Sequence, residues 1–168
     1  MNYADIKYCD VANGEGVRVS LFVSGCTHHC KECFNKEAWD FHYGNPFTQK
    51  EIDRILEYLK PNYIAGLSLL GGEPMEPVNQ EGILPLLRVV KQTYPEKNIW
   101  CYTGYLFDKD VLDKMCKESE VTKEIVSYLD IVVDGEFMID RKNLKINFRG
   151  SDNQRIIDGK KTVDAGEI

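Results

Sequence analysis

The sequence predicts an α/β fold in which a parallel sheet is covered by helices, either as an open doubly wound sheet or as a partial barrel. Three observations predict it. Short apolar, β-branched runs alternate with stretches of helical periodicity. The motifs with chemical character fall directly after the predicted strands, following residues 24, 70, 103 and 133. No internal repeat, low-complexity tract or linker divides the 168 residues, so 1–168 reads as one domain, and a chain of this length buries roughly 70% of its unfolded surface. In such sheets ligands gather at the carboxyl ends of the strands.

The elements follow in order. Val17 to Ser24, VRVSLFVS, alternates apolar residues and is β-branched, which predicts a strand ending before Gly25. Thr48 and Glu51 have capping-box spacing, and Ile52, Ile55, Leu56 and Leu59 form one apolar face, so residues 49 to 59 should be helical, with Pro61 helping to stop them. Ile64 to Leu70 suits a buried strand, broken by Gly71-Gly72-Glu73-Pro74. A helix is expected over 82 to 93, with Leu86, Leu87 and Val90 inward and Pro85 confined to its first turn. Asn98 to Thr103 reads as a strand closed by Gly104. Helical stretches near 109 to 117 and 122 to 129 precede the apolar Ile131-Val132-Val133. The tail from Gly159 to Ile168 looks polar and frayed.

Composition narrows the function. Hydrophobic residues make up 43% and charged residues 29%, as in soluble globular proteins. No apolar run approaches the roughly 20 residues of a membrane span, and the first residues show neither a basic region nor an apolar stretch, so a cytoplasmic location is expected. A net charge of −6 denies the chain the positive field that non-specific nucleic-acid binding needs. In a reducing compartment, clustered cysteines point to metal rather than to disulfides. Of the six cysteines, Cys9, Cys101 and Cys116 lack partner spacing and read as buried apolar residues.

The other three stand together in Cys26-Thr27-His28-His29-Cys30-Lys31-Glu32-Cys33-Phe34-Asn35. Soft thiolates at this spacing wrap one metal centre, zinc or iron–sulfur. A structural zinc site needs four closed ligands, and His28 or His29 could supply the fourth only within a very tight loop. A [4Fe-4S] cluster on three thiolates instead leaves one iron open to a substrate. The C-x3-C-x2-C spacing before an aromatic residue resembles the radical S-adenosylmethionine superfamily. Gly71-Gly72-Glu73-Pro74 resembles that superfamily's turn for the methionyl end of the cofactor: the glycines allow close backbone approach and Pro74 fixes the turn. Thr103 and Asp134 close two further strands, where contact with the cofactor or a cation competes with plain turn and capping roles. Arg18, Arg149 and Arg155 suit surface or intramolecular ion pairs more than carboxylates of a partner or of the cofactor, and His42 reads as structural.

Asp10 to Arg18, Ser20 to Gly25, the cysteine loop, Ala38-Trp39-Asp40, the Gly71 turn, Tyr102 to Tyr105, Val133-Asp134-Gly135 and Phe148 to Asp158 together resemble the family of anaerobic ribonucleoside-triphosphate reductase-activating proteins. The resemblance implies a partial barrel of the radical S-adenosylmethionine type, shorter than the about 250 residues of a full one. It implies Cys26, Cys30 and Cys33 as ligands of a [4Fe-4S] cluster. It implies Glu32, Cys33, Phe34 and Gly71 to Pro74 as the hold on S-adenosylmethionine. The implied partners are the large reductase subunit and a low-potential electron donor such as flavodoxin, with no nucleic acid and no membrane. The implied reaction makes a glycyl radical and needs no protein acid or base, so no catalytic side chain is expected. The rival readings are an activase of the pyruvate formate-lyase type, an iron–sulfur electron carrier and a zinc-stabilised binding module.

Overall fold

The computed structural model describes residues 1–28, 39–143 and 148–165. Of the expected site, Cys30, Glu32, Cys33 and Phe34 lie outside the described residues. The chain runs through β1 (Asn2–Asp10), β2 (Val17–Val23), β3 (Asn45–Pro46), α1 (Gln49–Leu59), β4 (Ile64–Gly71), α2 (Pro77–Thr93) and β5 (Asn98–Tyr102). A π-helical stretch, Phe107–Met115, leads into the short α3 (Cys116–Glu118), and α4 (Glu120–Tyr128), β6 (Ile131–Asp134), β7 (Arg155–Asp158) and α5 (Gly159–Ala165) follow.

The strands form one sheet in the order β3-β1-β2-β4-β5-β6-β7. Its centre, β2-β4-β5-β6, is parallel, and the flanking pairs are antiparallel. The sheet is open, with β3 and β7 at its edges. A doubly wound sheet reverses its strand order at a switch point. Here the parallel strands follow one another in chain order, so right-handed crossovers place their helices on one face. The core confirms it: Val19, Leu21, Val23, Leu67, Leu69, Ile99, Cys101 and Val132 pack with Ile52, Ile55, Leu59, Leu86, Leu87 and Val90 of α1 and α2.

The alternate strand residues face the other way, and there the β1–β2 loop folds over the sheet. Arg18 is fully buried in it. Its Nε donates to Ser68 Oγ at 2.7 Å, and its terminal nitrogens donate to the carbonyls of Glu15 and Leu67, both at 3.0 Å. The guanidinium lies 5.4 Å from the Trp100 ring, and Ser68 Oγ passes its own hydrogen to the Asn13 carbonyl at 2.5 Å. Burial pulls the Arg18 pKa down to about 10, with neighbouring negative groups acting against it, so it stays charged at neutral pH. Among the described residues it forms no close carboxylate pair; dipoles of the strands and the loop neutralise it instead.

Several boundaries differ from the sequence reading. α2 begins at Pro77 rather than at residue 82, because a proline at N1 loses no helical hydrogen bond. Pro85 is therefore interior; it and Glu81 are both exposed, so the carbonyl left without a donor can be hydrated. The tail forms α5, joined to the sheet where the Gly159 N–H meets the Asp130 carbonyl at 2.9 Å. Cys101 is buried as expected, but Cys9 is exposed with a φ of 57° and Cys116 is only half-buried. Among the described residues no helix is long and apolar enough to cross a membrane.

Candidate functional site

At the carboxyl ends of the four parallel strands opens a cavity of about 470 Å³, within the range of small-molecule sites. Cys26, Gly71, Gly72, Glu73, Thr103 and Gly135 line it. The cysteine loop and the Gly71 turn meet here because β2 and β4 are neighbours. The Gly72 N–H donates to the Val23 carbonyl at 2.8 Å, and the Glu73 N–H donates to the Gly25 carbonyl at 2.7 Å. Gly71 has a φ of +108°, and a Cβ there would lie 2.6 Å from the backbone of Val23, so only glycine lets the two strands stay this close as the turn begins. Pro74 is buried behind the turn.

Glu73 is the centre of the rim. Its side chain is 1% exposed, and four donors converge on its two oxygens. Oε1 meets His28 Nε2 and the Gly104 N–H, both at 2.7 Å; Oε2 meets the Met75 N–H at 2.9 Å and the Thr103 hydroxyl at 2.8 Å. A carboxylate offers about four acceptor positions, so this one is filled by the loops after β2, β4 and β5. Nearby, Glu76 at the start of α2 takes the Thr27 hydroxyl at 2.5 Å, and the Asn79 amide reaches the Glu73 carbonyl at 2.9 Å.

His28 has both ring nitrogens engaged, Nε2 with Glu73 and Nδ1 with Glu136 Oε1 at 3.0 Å. Tyr105 packs edge-on against it, with ring centroids 4.4 Å apart. Burial disfavours the charged imidazole, but the hydrogen bonds and charge of Glu73, then of Glu136, outweigh it and raise the His28 pKa to about 8. Burial, then the charge of Glu76, pushes the Tyr105 hydroxyl up to about 12. In this arrangement neither His28 nitrogen is left to close a zinc site.

Asp134 ends β6 with a fully buried carboxylate. Arg155 grips it through Nε at 2.9 Å and a terminal nitrogen at 2.5 Å, and the Phe107 N–H adds a third bond at 2.7 Å. Arg155 also reaches Asp108 at 3.1 Å, and these partners raise its pKa. The ion pair expected for Arg155 is therefore present. Arg149 instead donates to the Gln154 carbonyl at 3.1 Å, in a turn whose Gln154 amide donates to the Gly135 carbonyl at 3.0 Å. His42 lies exposed in the loop before β3.

The cavity suits a nucleotide-sized ligand beside a cysteine-bound cluster. Cys26, one of the expected thiolate ligands, stands in its wall. Two buried polar atoms of wall residues, the Tyr102 hydroxyl and Arg149 Nε, find no hydrogen-bond partner among the described residues. Sequence reasoning did not foresee Glu136, Tyr105 or the work of His28. The last carried a signal, since a histidine inside a cysteine loop that is not needed as a ligand must use its nitrogens elsewhere.

Comparison with known proteins shows the family to which the chain is related. A family model described as a 4Fe-4S single cluster domain matches residues 12–157. The anaerobic ribonucleoside-triphosphate reductase-activating protein of Enterobacteria phage T4 is 43% identical over 158 residues, covering 93% of both chains. The protein of the same description from Pasteurella multocida is 40% identical over 93% of this chain and 96% of its own. That of Escherichia coli K12 is 38% identical over 92% of this chain and 96% of its own.

Proposed function

We propose that this chain, which belongs to the family of anaerobic ribonucleoside-triphosphate reductase-activating proteins, activates such a reductase by placing a glycyl radical on it, with a [4Fe-4S] cluster and S-adenosylmethionine as cofactors. The observation that carries this reading is the joining of the cysteine loop to the Gly71 turn at one cavity mouth, through the Glu73 N–H on the Gly25 carbonyl at 2.7 Å. Two motifs 45 residues apart in the chain, at His28 and Glu73, thereby serve one ligand space. The single winding of the open sheet supports a partial barrel of the radical S-adenosylmethionine type.

In this reading Cys26, Cys30 and Cys33 hold the cluster, and Glu32, Cys33, Phe34 and the Gly71 to Pro74 turn hold the cofactor. When bound there, the cluster and S-adenosylmethionine would supply one-electron reductive cleavage of a sulfur–carbon bond, with methionine and 5′-deoxyadenosine as products once a hydrogen atom is taken from the partner's glycine. The chain's own work is to orient and enclose. Glycine backbone at Gly71 and Gly72 allows close approach and leaves carbonyls for an ammonium group. Thr103 supports the rim through Glu73, and Asp134 through Arg155. No side chain has to move a proton, so the enzyme is an oxidoreductase whose reactive group is borrowed. Its partners are the large reductase subunit and a low-potential donor such as reduced flavodoxin, and it works in the cytoplasm.

The test is anaerobic reconstitution with iron and sulfide, then dithionite, S-adenosylmethionine and the reductase. The expected result is 5′-deoxyadenosine together with a glycyl radical signal in electron paramagnetic resonance. A cluster that cycles between oxidised and reduced forms and produces no deoxyadenosine identifies an electron carrier and overturns the proposal. A colourless protein with one zinc per chain overturns it equally.

A further inference from the structure

His28 stands where three strand-end loops meet, and neither its neighbours nor its geometry are those of a spare loop residue. One ring nitrogen faces Glu73 at 2.7 Å and the other faces Glu136 at 3.0 Å. Each ring nitrogen therefore has its own carboxylate oxygen within hydrogen-bond reach. Few side chains can do this. The donors of a glutamine or asparagine sit on one nitrogen, and those of lysine on one flexible point, whereas imidazole carries two nitrogens on separate edges of one rigid ring, one for each carboxylate.

The surroundings form a socket for that plane. The Tyr105 ring lies edge-on at 4.4 Å between centroids. Gly104 leaves space beside the ring that no other residue would: a Cβ there would lie 2.6 Å from His28 Cδ2 and 2.8 Å from Nε2. Gly104 is not held at a positive φ, so its lack of a side chain is explained by the ring rather than by backbone conformation. The Gly104 N–H meanwhile shares Glu73 Oε1 with His28. On the far side, the Glu136 carbonyl accepts the Asn153 amide at 2.9 Å, which ties this end of the bridge to the turn before β7.

We propose that His28 is a positioning residue that bridges Glu73 and Glu136, clamps the cysteine loop against the Gly71 turn, and so sets where the cluster on Cys26, Cys30 and Cys33 stands relative to the cofactor. This rests on the proposed reaction. The cysteines alone retain the cluster; His28 decides its placement. Residues in the shell around metal ligands change affinity or activity by roughly 10–100-fold when removed, and an effect of that size is expected here.

The experiment compares wild type, H28A, H28Q and G104A after anaerobic reconstitution. It measures iron per chain, deoxyadenosine formation per cluster, and the electron paramagnetic resonance spectrum of the reduced cluster with and without S-adenosylmethionine. H28A is expected to keep its iron content, lose roughly 10–100-fold in cleavage per cluster, and show a broadened, weaker spectral response to the cofactor. H28Q, able to serve one carboxylate, should fall between H28A and wild type. G104A keeps the histidine but pushes its ring from the socket, and should reproduce the altered spectrum. The proposal is overturned if H28A retains the wild-type spectral response and a per-cluster rate within about twofold of wild type. It is overturned equally if activity falls only in proportion to lost cluster, the mark of a merely structural role. A wild-type protein that assembles the cluster yet never cleaves the cofactor sinks the reaction alone, and the spectral comparison still decides the clamp.

Discussion

Arg18 on β2 and Glu73 in the turn after β4 are both buried ionisable side chains, one 0% and the other 1% exposed, and they are satisfied in opposite ways. Arg18 gathers acceptors from its own loop and the adjoining strand: the carbonyls of Glu15 and Leu67 and the Ser68 hydroxyl. Glu73 gathers donors from its own turn and from the loops after two other strands. The first makes a floor, in which a loop is nailed to a sheet already paired by its backbone. The second makes a rim, in which otherwise separate loops are drawn to one point. A buried charge is costly unless its hydrogen bonds are met, so each of these sites orders whatever supplies the partners. Arg18 thus secures the scaffold, and Glu73 secures the place where a ligand is held.

The separation of rim from floor can be broken experimentally. The largest effect is expected from Cys30→Ala, which should abolish cluster reduction and cofactor cleavage while the far-ultraviolet circular dichroism of the chain stays that of wild type. Residual deoxyadenosine production would remove Cys30 from the ligand set. Arg18→Ala should do the reverse. With several buried acceptors unpaired at about 1 kcal/mol or more each, denaturant unfolding should show a loss of about 4 kcal/mol, while the molecules that remain folded bind a cluster normally. If the cluster fails before the fold does, floor and rim are one unit.

Asp134 sharpens the comparison, since it ends a strand that opens on the cavity yet its carboxylate serves Arg155, which it shares with Asp108. Asp134→Asn leaves Arg155 without its main charge partner and should cost about 3 kcal/mol in denaturant unfolding, with no change in the spectrum of the reduced cluster. A changed spectrum would place Asp134 at the cofactor. The smallest effect concerns acid. Asp10 accepts from Ser20 Oγ and Asn13 Nδ2, both at 2.6 Å, and from the Ala12 N–H at 2.9 Å. Burial works against its charge, but these bonds outweigh burial and hold its pKa below the usual value. A lowered folded pKa means that the contribution is fully present above the unfolded value of about 3.9 and is lost as pH falls through the folded one. Asp10→Asn should therefore flatten the acid limb of stability against pH, measured by urea unfolding between mildly acidic and strongly acidic buffers. An unchanged acid limb would show that the floor loop is held without that charge.

Some of this molecule was written in local pattern. The capping box of α1 lies as expected, with the Thr48 N–H donating to Glu51 Oε2 at 2.7 Å and the helix covering Gln49–Leu59. β4, β5 and β6 fall within a residue of their apolar runs, because buried parallel strands are continuous in hydrophobicity. The edges were not legible. β3 is two residues including Pro46, and it is a strand only because it lies beside β1. β7 leaves Ile156 exposed and takes its identity from antiparallel pairing with β6.

By itself, the sequence determined the alternation of strands and helices, the grouping of Cys26, Cys30 and Cys33, and the glycine turn at Gly71, since each depends on residues within a few positions of one another. Only the tertiary structure decided that the sheet winds one way, that Arg18 is neutralised by carbonyls, and that His28 spans Glu73 and Glu136, 45 and 108 positions away. The physical reason is that periodicity and motif spacing act along the chain. The partners that satisfy a buried charge are chosen across space, after the strands have set which loops are neighbours.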